Sequence, residues 1–116
     1  MKAVRIYHNS RCSKSRATLA LLQERGCLCE VINYLDTPPS IEELRQLLDQ
    51  LGMTPRELIR KGENEYAELG LDNPALSDTD LIAAMAQHPR LIERPIVVSN
   101  GKAKLGRPPE SVLDIL

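Results

Sequence analysis

Ala3-Val4-Arg5-Ile6-Tyr7-His8-Asn9-Ser10-Arg11-Cys12-Ser13-Lys14-Ser15-Arg16 passes from a strand pattern into a helix pattern, with a cysteine at the junction. Ala3 to Tyr7 reads as the first strand. Ser13 to Arg25 follows as a helix whose apolar content is Ala17, Leu19, Ala20, Leu21 and Leu22, and Gly26 ends it. Leu28 to Tyr34, rich in β-branched and apolar residues, reads as a second strand. Strand, helix and strand within about thirty residues imply a parallel pair with a right-handed crossover.

Outward from this unit, Thr37-Pro38-Pro39 breaks the chain. Ser40 and Glu43 form a capping-box pattern, in which hydroxyl and carboxylate each satisfy an exposed N–H. Ile41, Leu44, Leu47, Leu48 and Leu51 then share one helical face, and Gly52 stops the helix. Thr54-Pro55-Arg56-Glu57 repeats the box with proline at the first helical position. Lys61 to Pro74 is polar, and irregular or briefly helical. Ser77 and Asp80 open a further helix that ends at His88-Pro89. Ile96 to Ser99 is a strand, Asn100-Gly101 is a strong two-residue hairpin signal, and Lys102 to Leu105 returns antiparallel. Gly106-Arg107-Pro108-Pro109 leads into a last helix, Glu110 to Leu116, with Pro38 and Pro108 as helix-boundary stiffeners. The order is βαβ, a helical insert, then ββα. This predicts an α/β, thioredoxin-like fold: a four-stranded mixed sheet with helices on both faces, in one domain over residues 1–116.

Fifteen basic and sixteen acidic residues give a net charge of −1, which offers no bulk attraction to nucleic acid or membrane. No apolar run approaches a membrane span, and the N-terminal residues move directly into a strand with no signal-peptide core. Without Trp or Phe, the core is aliphatic. Three cysteines, Cys12, Cys27 and Cys29, lack the spacing of a disulfide framework, so the expected compartment is the reducing cytoplasm.

Cys12 carries the chemistry. A thiol just before a helix meets unpaired backbone N–H groups, which favour the thiolate, and Arg11, Lys14 and Arg16 act in the same direction. Three cations and no acid are the reverse of what a helix start favours, and an anion bound there explains the inversion. A buried inert thiol is the bland reading, and these polar neighbours do not describe a core. Position 15 is Ser, so the loop is not a Cys-x-x-Cys dithiol. Thr18 stands where a phosphatase-type loop has Arg.

His8 is placed either to stabilise the thiolate, as a cation or hydrogen-bond donor, or as an ordinary loop histidine. Neither histidine pairs with the cysteines at metal-ligand spacing, so no metal site is expected. Arg60, Arg94 and Arg107 stand at element ends, where guanidinium groups serve either as solvated surface or as a fork for a tetrahedral oxyanion. Cys27 and Cys29, two apart on a strand, point to one face and read as core packing. Pro95, before a core strand, is a candidate cis proline.

Over essentially the whole chain the sequence resembles the arsenate reductase family that uses glutathione and glutaredoxin. The matching stretches are Tyr7-His8-Asn9-x-x-Cys12, Tyr34-Leu35-x-Thr37-Pro38-Pro39, Arg60-Lys61, Glu68-Leu69-Gly70-Leu71, His88-Pro89, Glu93-Arg94-Pro95-Ile96-Val97-Val98 and Gly106-Arg107-Pro108-Pro109-Glu110. The resemblance implies that Cys12 attacks arsenate, that His8 helps keep it ionised, and that Arg60, Arg94 and Arg107 hold the oxyanion. It also implies glutathione as co-substrate, glutaredoxin as protein partner, no bound cofactor and a cis Arg94–Pro95 bond. Ser10 departs from a common proline, and Ser13-Lys14 from a Gly-Thr pair. Two other functions share the scaffold. One is a monothiol oxidoreductase acting on glutathione mixed disulfides or another small substrate. The other is a redox-sensing regulator that binds RNA polymerase.

Overall fold

Strand β1 (Ala3–His8) is central to a four-stranded sheet in the computed structural model, which describes residues 2–116. It pairs in parallel with β2 (Leu28–Asn33), Val4 level with Cys29 and His8 level with Asn33. On its other side it pairs antiparallel with β3 (Ile96–Ser99), which pairs antiparallel with β4 (Lys102–Leu105). The order β2-β1-β3-β4 is the mixed, thioredoxin-like sheet expected from the βαβ and ββα halves.

The chain forms two compact units, the first running to Thr37 and resuming at Arg94, the second covering Pro38–Glu93. In the first, α1 (Ser13–Glu24) follows β1 and ends before Gly26, whose φ of +75° suits a residue without Cβ. Val4 and Ile6 of β1, Leu22 of α1, Val97 of β3 and Val112 make its buried core. The last segment is a 3-10 helix over Pro109–Ile115, not the α-helix expected over Glu110–Leu116. Val112 and Ile115, three apart, eclipse on one face in that tighter winding, and both pack on the sheet core.

The β3–β4 turn is Asn100-Gly101, with φ +56° and +74°, the paired positive values of a type I′ hairpin. Arg94–Pro95 is cis, as expected for Pro95, and Arg107–Pro108 is cis as well, where a boundary stiffener was expected.

The second unit is the helical insert: α2 (Ile41–Leu51), α3 (Pro55–Leu58), α4 (Asn64–Glu68), α5 (Asp78–Gln87) and a 3-10 turn at Pro89–Leu91. Ser40 accepts from the Glu43 N–H. Thr54–Glu57 and Ser77–Asp80 close complete capping boxes, and each such cap contributes about 1 kcal/mol. Leu44, Leu47 and Leu48 of α2 and Leu81, Ile82 and Met85 of α5 are buried, and α2 and α3 pack on α5. No described helix is long and apolar enough to cross a membrane.

Candidate active site

Cys12 is the N-cap of α1, half-buried, at the end of a loop tied back on itself. Its own N–H donates to the Asn9 carbonyl at 3.0 Å, and the Arg11 N–H donates to Asn9 Oδ1 at 3.0 Å. Burial alone would raise the thiol's pKa. The Ser15 and Lys14 N–H groups and then the Arg94 guanidinium, by hydrogen bond and by charge, outweigh it, so the pKa lies below the ordinary thiol range. The cap is not closed by a side-chain hydrogen bond of full geometry, so the helix end acts on the sulfur electrostatically.

Arg94 reaches this site because of the hairpin. The two-residue turn fixes Ile96 opposite Leu105, and the same register carried outward sets Arg94 across from Arg107. The Gly106 N–H donates to the Pro95 carbonyl at 2.9 Å, and the Arg107 guanidinium donates to the Arg94 carbonyl at 3.1 Å. Gly106 has no room for a side chain: a Cβ there would lie 2.7 Å from Pro95 Cγ and strike Thr18 Oγ1. Thr18, fully buried, donates to the Lys14 carbonyl at 2.7 Å, one turn back along α1, which fixes its rotamer against Gly106.

His8 is buried and holds Ser15 rather than solvent, with Nδ1 2.7 Å from Ser15 Oγ. That hydroxyl also accepts the Asn9 N–H at 3.0 Å. Burial, and then the charge of Arg16, push the imidazole's pKa down. Of the roles open in the sequence, a cationic His8 is disfavoured; the neutral ring braces Ser15, three residues after Cys12. Ser15 and Asn9 are the site residues that sequence reasoning missed. The available signal was a small hydroxyl at N3 of the helix and an Asn at the end of the strand, both residue types that bond loop backbone.

Arg60 lies in the second unit. Its guanidinium is 2.6 Å from Glu93 and 3.3 Å from Glu63, and Glu63 also holds Arg90 at 2.9 Å. The structure therefore groups Cys12, His8, Arg94 and Arg107 in one unit and gives Arg60 carboxylate partners in the other.

Cys27 and Cys29 pack against the sheet core, where burial, and then the neighbouring Cys27, raise the pKa of Cys29. Cys29 stands level with Val4, about 13 Å along β1 from His8. A disulfide needs Cα atoms within about 7 Å. Cys12, bonded to Asn9 beyond the far end of β1, has no resolving thiol of its own.

A family model described as the ArsC family matches residues 7–115. The arsenate reductase of Neisseria meningitidis is 51% identical, with both chains fully covered. The uncharacterized protein YfgD of Escherichia coli is 57% identical over 99% of this chain and 98% of its own. Among solved structures, the arsenate reductase from Vibrio cholerae superposes with a TM-score of 0.97 at 58% identity, covering 99% of this chain and 98% of that one.

Proposed function

The chain belongs to the ArsC family, and on that footing we propose that it reduces arsenate to arsenite through Cys12. The observation that carries the reading is the Arg94 guanidinium at a thiol whose pKa is lowered. A nucleophile and a donor for oxyanion charge share one place, and Arg107 is bonded to the backbone of that donor. Full-length relatives named as arsenate reductases supply the substrate class.

The Cys12 thiolate attacks arsenic, forming the S–As bond as an As–O bond breaks, and the departing hydroxyl takes a proton from solvent and leaves as water, giving a Cys12–S–As(V) adduct. Arg94 and Arg107 offset the oxygen charge withdrawn from water. A second thiol then attacks. Its sulfur attacks the Cys12 sulfur and the two join as a disulfide, the S–As bond breaks with its electron pair going to arsenic, and the product leaves as arsenite. A further thiol frees Cys12 by exchange. With Cys27 and Cys29 out of reach, both reducing thiols come from outside. Glutathione as co-substrate and glutaredoxin as partner fill those roles, with no bound cofactor. Such thiols are plentiful in the cytoplasm, where three free cysteines also persist. Neutral His8 acts by holding Ser15 and the loop. Arg60 enters this reading from the family resemblance alone, since two carboxylates already engage it.

The test is NADPH oxidation coupled through glutathione reductase, with arsenate, glutathione and glutaredoxin present. Wild type is expected to turn over and Cys12→Ser to lose all arsenate-dependent signal. Retained turnover in Cys12→Ser sinks the scheme.

A further inference from the structure

Beside the Cys12 loop lies a polar cleft of about 330 Å³, lined by Asn9, Arg11, Asn33 and Asp36 among others. Its size is at the lower end for small-molecule sites, and its lining is too polar for an apolar ligand. Arg11 and Asp36 give it one positive and one negative side chain. Among the described residues neither side chain forms an ion pair or hydrogen bond, with the other or with a third group. Asn9 Oδ1 is taken by the Arg11 N–H, which turns its amide NH₂ toward other acceptors. A cation and an anion that share a small cleft without pairing complement a ligand that brings both charges itself.

We infer that this cleft seats the α-amino-acid end of the small thiol that resolves Cys12, Asp36 taking its ammonium and Arg11 its carboxylate. The inference rests on the proposal that an external thiol completes the reaction. The position fits, because Arg11, which lines the cleft, is bonded to Cys12 in the chain. An oxyanion alone would leave Asp36 opposed, so the cleft is distinct from the Arg94 and Arg107 pair in the charge it accepts. A protein surface could present the same two charges, and the choice of probe separates that source.

The experiment needs no arsenate. Cys12 is first converted to a mixed disulfide with a chromogenic aromatic thiol. An incoming thiolate then attacks the disulfide, bonds to the Cys12 sulfur and expels the chromophore as its thiolate. Rates are compared for glutathione, for glutathione lacking its α-amino group, and for 2-mercaptoethanol. Wild type is expected to favour glutathione over 2-mercaptoethanol well beyond their ratio with a small-molecule disulfide. That selectivity falls about three- to fivefold in Asp36→Asn and in Arg11→Gln, the upper part of the range for exposed charge pairs. Asp36→Asn changes nothing with the deaminated thiol, which has no ammonium to lose. Selectivity within twofold of wild type in both variants overturns the inference. So does equal loss with the deaminated thiol, which marks a general effect on Cys12. With reduced glutaredoxin as a further attacking thiol, a loss in both variants that free glutathione does not show overturns the inference and assigns the charges to a protein partner. Because exchange is read directly, failure here leaves arsenate reduction standing, and failure of arsenate turnover leaves this result intact.

Discussion

Gly106→Ala tests whether the Cys12 turn is held from behind. The added methyl lies 2.7 Å from Pro95 Cγ and 3.0 Å from Thr18 Cγ2, and it strikes Thr18 Oγ1. Carbon atoms rest about 3.5–4.0 Å apart, so the overlap at Pro95 alone is about 0.8 Å or more. Neither neighbour yields easily. Thr18 is β-branched, fully buried and bonded to the Lys14 carbonyl, and Pro95 is a buried ring. Overpacking of this kind costs about 1–3 kcal/mol, and two fixed neighbours place it in the upper half, about 2–3 kcal/mol. For a chain of this length that lowers Tm by about 8–12 °C. Urea denaturation and calorimetry give both numbers. Thr18→Ala removes two of the three close atoms, so the double variant should be less destabilised than the sum of the singles by about 1 kcal/mol. A Gly106→Ala protein within 0.5 kcal/mol of wild type, or strictly additive effects, refutes the clamp.

Arg94→Ala removes a donor and a positive charge from the Cys12 thiolate, so the pH midpoint of Cys12 alkylation by iodoacetamide should move upward; an unchanged midpoint excludes the contact. In turnover the same variant should lose about a hundredfold or more in kcat, the scale of a lost oxyanion donor. Ser15→Ala leaves the buried Asn9 N–H without its acceptor and should cost about 1–3 kcal/mol by urea denaturation; a neutral result removes Ser15 from the loop's support. For His8 the folded pKa lies below its unfolded value near 6.5, so the unfolded chain binds the proton more readily. The stability held by the neutral ring is present above about pH 6.5 and is lost as pH falls toward the folded pKa. His8→Gln should therefore flatten the stability profile below that pH, and an equally steep fall in the variant points to another group.

The βαβ and ββα halves are legible because each rests on short-range signals that burial reinforces: alternation, a terminal Gly26, capping pairs and the Asn100-Gly101 turn. The pairing of Arg94 with Arg107 was not read from the sequence, although the hairpin turn carries it. A two-residue turn at 100–101 sets Ser99 opposite Lys102, and counting outward from there puts Arg94 opposite Arg107. What sequence could not supply was the third dimension of the loop. Ser15 bonds both His8 and Asn9 only because α1 returns along β1, a tertiary fact without periodicity. The same holds for Arg60, whose partner Glu93 lies thirty-three positions away. The 3-10 winding at Pro109–Ile115 was missed for a different reason. Apolar residues three apart fit an α-helix nearly as well, and packing makes the choice.

One contrast within the molecule ties fold to chemistry. Helices α2, α3 and α5 each begin with acidic residues and a hydroxyl cap, the arrangement that offsets the macrodipole. Helix α1 does neither: its first turn has no acid, and its N-cap is Cys12. Two capping boxes within the same chain show that this sequence uses the stabilising pattern where only stability is at issue. At α1 the free N–H groups of Lys14 and Ser15 act on sulfur instead, and a serine cap would occupy them permanently. The first turn is tied down by buried side-chain contacts instead: Ser15 accepts the Asn9 N–H and meets His8 Nδ1, and Thr18 packs where Gly106 leaves no room for a Cβ. Helix α4 keeps an acid, Glu65, without a side-chain cap, so α1 alone among the described α-helices lacks both, and the buried support around it marks that exception as the candidate functional site.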